Sequence, residues 1–330
     1  MSLLETQPYR LFFNSLKSLE SRKAYYFYLR KYMELQNITD LLAERDPISI
    51  EEQIINFIIK MTENGKHYSF LQNYLTAVLF FYRINDITLN TSKIYKFMPE
   101  QTRIKNYRAY TDEEIAKLLE IADERMRVIV FLLASTGMRI GAIPELKLRN
   151  FEKINDLYKI TVYENSPQEY QTFCSHECLE AIDSYLNFRK RHGEKLGPDS
   201  YLIREQFDVR DQFTTSYPRR PKIPALTFQL SELAFRCGIR KKEQILEGQR
   251  SADGSSLRKE VALTHGFRKF FTTQCINSKM NPKIRELLLG NKQGLASYNY
   301  RPTEEEQFNE YLKVIDFLKI NYAKNFQAHY

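Results

Sequence analysis

The chain has 330 residues, of which 43% are aliphatic or aromatic, enough for ordinary packed cores and more than one domain usually holds. Lys and Arg number 49 against 41 Asp and Glu, a formal charge of +8 that favours a polyanionic partner without specifying one. No apolar run approaches the ~20 residues of a membrane span, and four cysteines with no signal-peptide pattern indicate reduced thiols in a cytoplasmic setting rather than a disulfide framework.

The first hundred residues read as helices joined by short polar links. The run from Leu19 to Leu35 places Tyr25, Leu29 and Tyr32 on one face. Ser49 and Glu52 have capping-box spacing ahead of Ile54, Ile55, Ile58 and Ile59, and a further helix spans Ser69 to Tyr82, with Lys66, His67 and Arg83 at its ends. Between Pro99 and Thr111 the sequence EQTRIKNYRAY is polar, basic and without periodicity, as an exposed connection would be. We place a domain boundary there, between 1–104 and 105–330.

Thr111 and Glu114 form a second capping-box pattern, and a buried helix follows from Arg125 to Ser135. Tyr158, Ile160 and Val162 alternate on one side of a strand that can pair with Tyr170 to Cys174, a small hairpin among helices. Next come a helix through Ile182 and Leu186, a basic stretch at Arg189 to Arg191, a looser region around Arg219 and Arg220, and the loop-like SADGSS. Cys174, His176 and Cys178 lie close together but lack a second ligand pair at zinc-finger spacing, so we assign no metal. There is no internal repeat.

Three segments carry chemistry. In STGMRIG, Gly137 can stop one helix and set Arg139 in the first turn of the next, where a guanidinium fork and free backbone N–H groups suit a phosphate. In THGFRKFF, Thr264 can cap a helix that presents His265 and Arg268 on one face near its positive end. In LLLGNKQGLASYNYRPTEEE, glycine-containing turns lead to Tyr298 and Tyr300 and then to a capping box from Thr303 to Glu306, opening a helix with Phe308, Tyr311, Leu312 and Ile315 to bury. Each segment alone has an ordinary alternative: a surface ion pair, a helix-end hydrogen bond, an amphipathic surface tyrosine.

Together, in this order and spacing, they resemble the boxes of the tyrosine recombinase (phage integrase) family: STGMRIG its first arginine box, THGFRKFF its His-x-x-Arg box, and LLLGN followed nine residues later by Tyr300 its final box. SYNYRPTEEE further resembles integrase-like proteins of archaea and their mobile elements. The resemblance implies a mainly α fold with a small β-hairpin (α+β), a helical SAM-like core-binding domain joined to a catalytic domain, the two closing as a C-shaped clamp on double-stranded DNA. It implies that Tyr300 attacks phosphorus to leave a 3′-phosphotyrosyl link, that Arg139 and Arg268 neutralise the transferring phosphoryl, that His265 assists proton transfer, and that no cofactor is needed. Self-association follows from it too, with two protomers on a site and four in a synapse, the last helix being a candidate for exchange between neighbours.

Two positions depart from the family pattern. The hairpin stretch YENSPQEYQTF lacks the family's lysine, with Gln168 in the turn and Lys159 back in the strand, and Asn291 stands where the family often has histidine or tryptophan. An amide donates a hydrogen bond but is no acid. A non-catalytic DNA-binding clamp is therefore an alternative to a site-specific recombinase or integrase, and a type IB topoisomerase-like enzyme is a further one. Tyr298 is the rival nucleophile. Lys105, Arg108, Arg189, Lys190, Arg219 and Arg220, all in basic stretches, are candidates for contacts to the DNA backbone.

Overall fold

The computed structural model describes residues 6–101, 107–240, 261–291 and 302–322. Lys105, the segment 251–256, Tyr298 and Tyr300 lie outside them. The chain divides into two compact units, Met1–Lys105 and Asn106–Tyr330.

The first unit is helical: α1 (Gln7–Ser15), α2 (Leu19–Gln36), α3 (Pro47–Glu63), α4 (Tyr68–Ile84) and the short α5 (Thr91–Tyr95). Ser18 caps α2 by accepting from the Ser21 N–H. Helix α3 begins before the predicted Ser49 box, because Asp46 takes the cap, accepting from the Ser49 N–H, and Pro47 fits the first turn. Of the α3 isoleucines, Ile54, Ile55 and Ile58 are buried along with Phe57, whose ring meets Tyr32 edge-on at 4.9 Å, whereas Ile59 falls on the other side of the helix and is 40% exposed. Glu51 is buried on this helix and is satisfied by Lys93 Nζ at 3.0 Å and the Asn90 N–H at 2.7 Å, which fastens α5 to α3.

The second unit starts earlier than an exposed connection would allow. Tyr110 is 3% exposed, stacks on Phe267 with ring centroids 4.3 Å apart and donates to the Leu263 carbonyl at 3.0 Å. Helix α6 (Asp112–Ile121) opens on the expected Thr111/Glu114 box. Helix α7 (Glu124–Thr136) is buried almost all round and forms the centre of this unit. After two 3₁₀ turns, Ile140–Glu145 and Leu148–Asn150, comes an antiparallel sheet in the order β1 (Phe151–Ile154), β2 (Leu157–Val162), β3 (Tyr170–Phe173). Strand β1 adds to the predicted hairpin, with Ile154 opposite Leu157 across a two-residue turn in which Asn155 takes φ +53°.

Helices α8 (His176–Arg191), α9 (Gln212–Ser216), α10 (Ile223–Arg236), α11 (His265–Asn277), α12 (Pro282–Leu288) and α13 (Glu304–Val314) follow, the last running into a 3₁₀ turn at Ile315–Leu318. Helix α13 opens on its predicted Thr303/Glu306 box. Tyr311 goes fully into the unit's own core and donates to the Ser135 carbonyl of α7 at 2.9 Å, whereas Leu312 remains 41% exposed. Among the described residues no helix is long and apolar enough to cross a membrane, and no group of three His, Cys, Asp or Glu side chains converges on a metal position.

Candidate functional site

The second unit brings two of the three sequence boxes to one place, along with the start of the third. Helix α7 ends at Gly137, whose φ of +61° and lack of a side chain are both required: a Cβ there would sit 2.8 Å from Leu289 and from Phe271. The tight stop points the Gly137 carbonyl at α11, and two residues later leaves Arg139 as the extended residue preceding the 3₁₀ turn rather than within a helix. Arg139 is exposed.

Arg268 lies one turn into α11 and is only 8% exposed. Its guanidinium donates to the Gly137 carbonyl at 2.8 Å, to the Leu289 carbonyl at 2.8 Å and to Asn291 Oδ1 at 2.7 Å. Three fixed acceptors hold the fork in one orientation and leave further N–H groups of the same plane for a ligand. Arg139 reaches the same Asn291 Oδ1 at 3.3 Å, so one amide oxygen gathers both arginines. The amide is oriented in turn, because its Nδ2 donates to Glu286 Oε2 at 2.6 Å. Burial raises the Glu286 carboxyl, but the hydrogen bonds from Asn291 and Arg285 and the charge of Arg268 outweigh it and keep it below the usual carboxylate range.

Burial, followed by the charges of Lys269, Arg268 and Arg139, pushes His265 below its ordinary value, so its imidazole is neutral near pH 7 and can accept a proton. Thr264 precedes α11 in helical conformation and makes no side-chain cap; the start of α11 is instead held by Tyr110 through Leu263 and Phe267. His265, Arg268, Lys269 and Thr272, at helical spacing on α11, line a cleft of about 380 Å³ together with Ala109, Thr273, Glu286, Leu289 and Asn291. Arg268, an imidazole and an amide line this cleft, and Arg139 adjoins it through Asn291, an arrangement that can hold a phosphate-sized anion undergoing proton transfer.

Sequence reasoning missed Glu286, Tyr163 and Tyr170. The two tyrosines flank the β2–β3 turn, their rings 6.4 Å apart, and both lie within the field of Arg139 and Arg268. Tyr170 comes so near Gly290 that a Cβ there would lie 2.5 Å from its ring. Their position beside the predicted turn was the available signal. Lys159 lies in β2, 9% exposed, with Glu304 Oε1 at 2.9 Å and Glu152 at 2.5 Å, and is committed to joining the sheet to the start of α13.

The basic residues proposed as backbone contacts fare unequally. Arg189 is a correction: it is fully buried, bonded through Nε to Glu194 Oε2 at 3.0 Å and through its Nη1 to the Tyr201 and Leu202 carbonyls, and cannot meet DNA. Arg204 shares Glu194 at 2.7 Å, so the pattern of basic residues along the sequence concealed a buried ion triad. Arg108 is held by both oxygens of Glu114, at 2.7 and 2.6 Å, and Arg220 pairs with Glu145. Lys190 and Arg219 are exposed.

No family model matches the chain, and no curated protein matches it in sequence. Solved structures do match it in fold. The Tn1549 transposon integrase in complex with circular intermediate DNA superposes with a TM-score of 0.56 at 17% identity, covering 92% of this chain and 98% of that one. The chain shares the fold of this integrase, mainly helical with a small antiparallel sheet. The XerH site-specific recombinase bound to its difH substrate gives a TM-score of 0.54 at 17% identity, over 84% of this chain and 75% of that one. At such identities the likeness is one of architecture, and the chemistry rests on the residues themselves.

Proposed function

We propose that the chain is a site-specific DNA recombinase or integrase that breaks and rejoins strands through a covalent phosphotyrosine. The observation that carries this reading is the convergence of Arg139, Arg268 and Asn291 beside His265, on a fold shared with proteins whose structures hold DNA. In this reading the two arginines bind the non-bridging oxygens of one phosphodiester, Asn291 fixes both guanidiniums, and His265 takes the proton of the attacking hydroxyl. Tyr300 is the attacking residue, because it follows Asn291 at the spacing that the family's pattern demands. The ester retains the energy of the broken bond, so a 5′-hydroxyl can reseal it without a nucleotide cofactor.

The N-terminal helical unit serves as the core-binding domain and the second unit as the catalytic domain. Double-stranded DNA is the partner, with protomers paired on each site, and the SYNYRPTEEE segment favours a mobile element as the setting. Lys190 and Arg219, together with Arg108 and Arg220 in their part-exposed ion pairs, are the described candidates for backbone contact. Their neutralisation should weaken binding to all sequences alike and flatten its salt dependence.

A second reading, a DNA-binding clamp without catalysis, is favoured by one observation: the strand lysine Lys159 is tied to Glu152 and Glu304. The two are separated on a nicked duplex that prevents rejoining, its site selected from a random-sequence library by binding to the protein. The recombinase reading predicts a protein–DNA adduct on a denaturing gel that Tyr300→Phe abolishes and Tyr298→Phe leaves. Tight binding without an adduct selects the clamp.

A further inference from the structure

Cleaving a phosphodiester leaves its electron pair on the 5′ oxygen, and an alkoxide departs slowly unless a positioned acid protonates it as the bond breaks. Among the described groups lining the cleft, the Arg268 guanidinium does not release a proton, nor does that of Arg139 beside it, the Asn291 amide is no acid, and Glu286 is held as a carboxylate by Asn291 and Arg285. The hydroxyls of Thr272 and Thr273 are too weakly acidic. His265 is held neutral by burial and by its three cationic neighbours, which makes it an acceptor. Lys159 lies in the sheet with two carboxylates.

One described ammonium lines the cleft, that of Lys269. It stands four residues after His265 and one after Arg268, on the α11 face that the cleft exposes, and is half-buried. Its Nζ donates to the Tyr107 carbonyl. That carbonyl belongs to the strand-like stretch fixed by the Arg108–Val261 bridge and by Tyr110 on Phe267, so the ammonium is steered by rigid backbone and keeps two N–H groups free to turn toward the cleft.

We propose that Lys269 is the acid that protonates the departing 5′ oxygen, supplying from α11 the proton that the β2–β3 turn cannot. This rests on the strand-cleavage reading above. As the tyrosine oxygen bonds to phosphorus, its proton passes to His265. The phosphorus–O5′ bond breaks with its electron pair going to O5′, and a proton moves from Lys269 Nζ to that oxygen, giving a 5′-hydroxyl and a neutral amine. In rejoining, the 5′-hydroxyl returns its proton to the amine and attacks phosphorus, and the tyrosine oxygen leaves with the proton held by His265.

The test uses the intact protein and the nicked, binding-selected duplex in two forms, one with the ordinary 5′ oxygen at the scissile phosphate and one with sulfur in that bridging position. A thiolate departs without protonation. Lys269→Gln should cleave the oxygen substrate roughly 10²–10³-fold more slowly than the unmodified protein and the sulfur substrate at close to its rate. Lys269→Arg, which keeps the charge and a donor for the Tyr107 carbonyl, should show the same split, since a guanidinium binds phosphate but gives up no proton. If either variant cleaves the oxygen substrate at the unmodified rate, or if Lys269→Arg is equally slow on both, Lys269 is not the acid and the cleavage reading stands. If the unmodified protein binds both duplexes and cleaves neither, the cleavage reading falls, and this inference with it.

Discussion

Replacing Arg268 with lysine keeps the charge and removes the fork, and so separates the two things this residue provides. The guanidinium satisfies the carbonyls of Gly137 and Leu289, each at 2.8 Å, and Asn291 Oδ1 at 2.7 Å, at a position only 8% exposed. Lysine puts all three of its N–H donors on one nitrogen, which cannot stand at both Nη1 and Nη2 and so keeps at best the acceptors of one of those positions. One or two charge-assisted hydrogen bonds are then lost at about 1.5–3 kcal/mol each, or about 1.5–6 kcal/mol in all. For a unit of this size about 1 kcal/mol moves the melting midpoint by about 2–4 °C, so the drop should be roughly 3–24 °C. Thermal unfolding followed by circular dichroism measures it. DNA affinity and its salt dependence, measured below the lowered midpoint, should stay near those of the unmodified protein because the charge is retained. Adduct formation should fall by at least about 10²-fold because the phosphate loses its planar partner. A variant that melted within about 2 °C of the parent would refute the claim that Arg268 is held by three acceptors at once.

Glu194→Gln should cost about 3–5 kcal/mol in denaturant unfolding, because Arg189 and Arg204 lose their shared carboxylate. Burial raises Glu194, but Arg189 and Arg204 outweigh it and hold it low, so its contribution is complete above the ordinary carboxylate range and fades as pH falls through the lowered value. The variant should accordingly lose that part of the acid dependence of stability. Gly137→Ala adds left-handed strain of about 1–2 kcal/mol to overpacking of about 1–3 kcal/mol, since its Cβ would meet Leu289 and Phe271 at 2.8 Å. Gly193→Ala, with nothing within 4 Å, should show the strain alone, and equal shifts in the two variants would remove the argument from close approach. The lowered His265 value places the acid limb of the cleavage rate below the ordinary histidine range, since the imidazole accepts a proton only when neutral; a limb above that range would contradict the assignment.

Much of this site is legible in the sequence because its parts are local. Gly137 ends a helix by its own backbone freedom, Thr111 and Thr303 start helices with their own side chains, and His265 and Arg268 share a face by helical spacing alone. What escapes is the long-range part. The bond from Arg268 to Gly137 spans 131 residues and that from Arg139 to Asn291 spans 152, and no local pattern announces either. The same limit explains Arg189, which stands in a basic stretch beside Lys190 and Arg191 yet turns inward to a carboxylate five residues on. Glu51 is a quieter case, a charged residue on an isoleucine-rich helix buried because Lys93 and the Asn90 amide come to it. Thr264 errs in the opposite direction, with the right residue type ahead of a helix that tertiary contacts from Tyr110 hold in place.

The central claim is that Tyr300 carries the broken strand, and identifying the linked residue tests it most directly. The adduct trapped on the nicked duplex is digested with nuclease and protease, and the nucleotide-bearing peptide is sequenced by mass spectrometry. A 3′-phosphate on Tyr300, with a free 5′-hydroxyl on the released fragment, is the predicted result. A nucleotide on any other residue, or a verified, tightly bound site that yields no adduct, would contradict it.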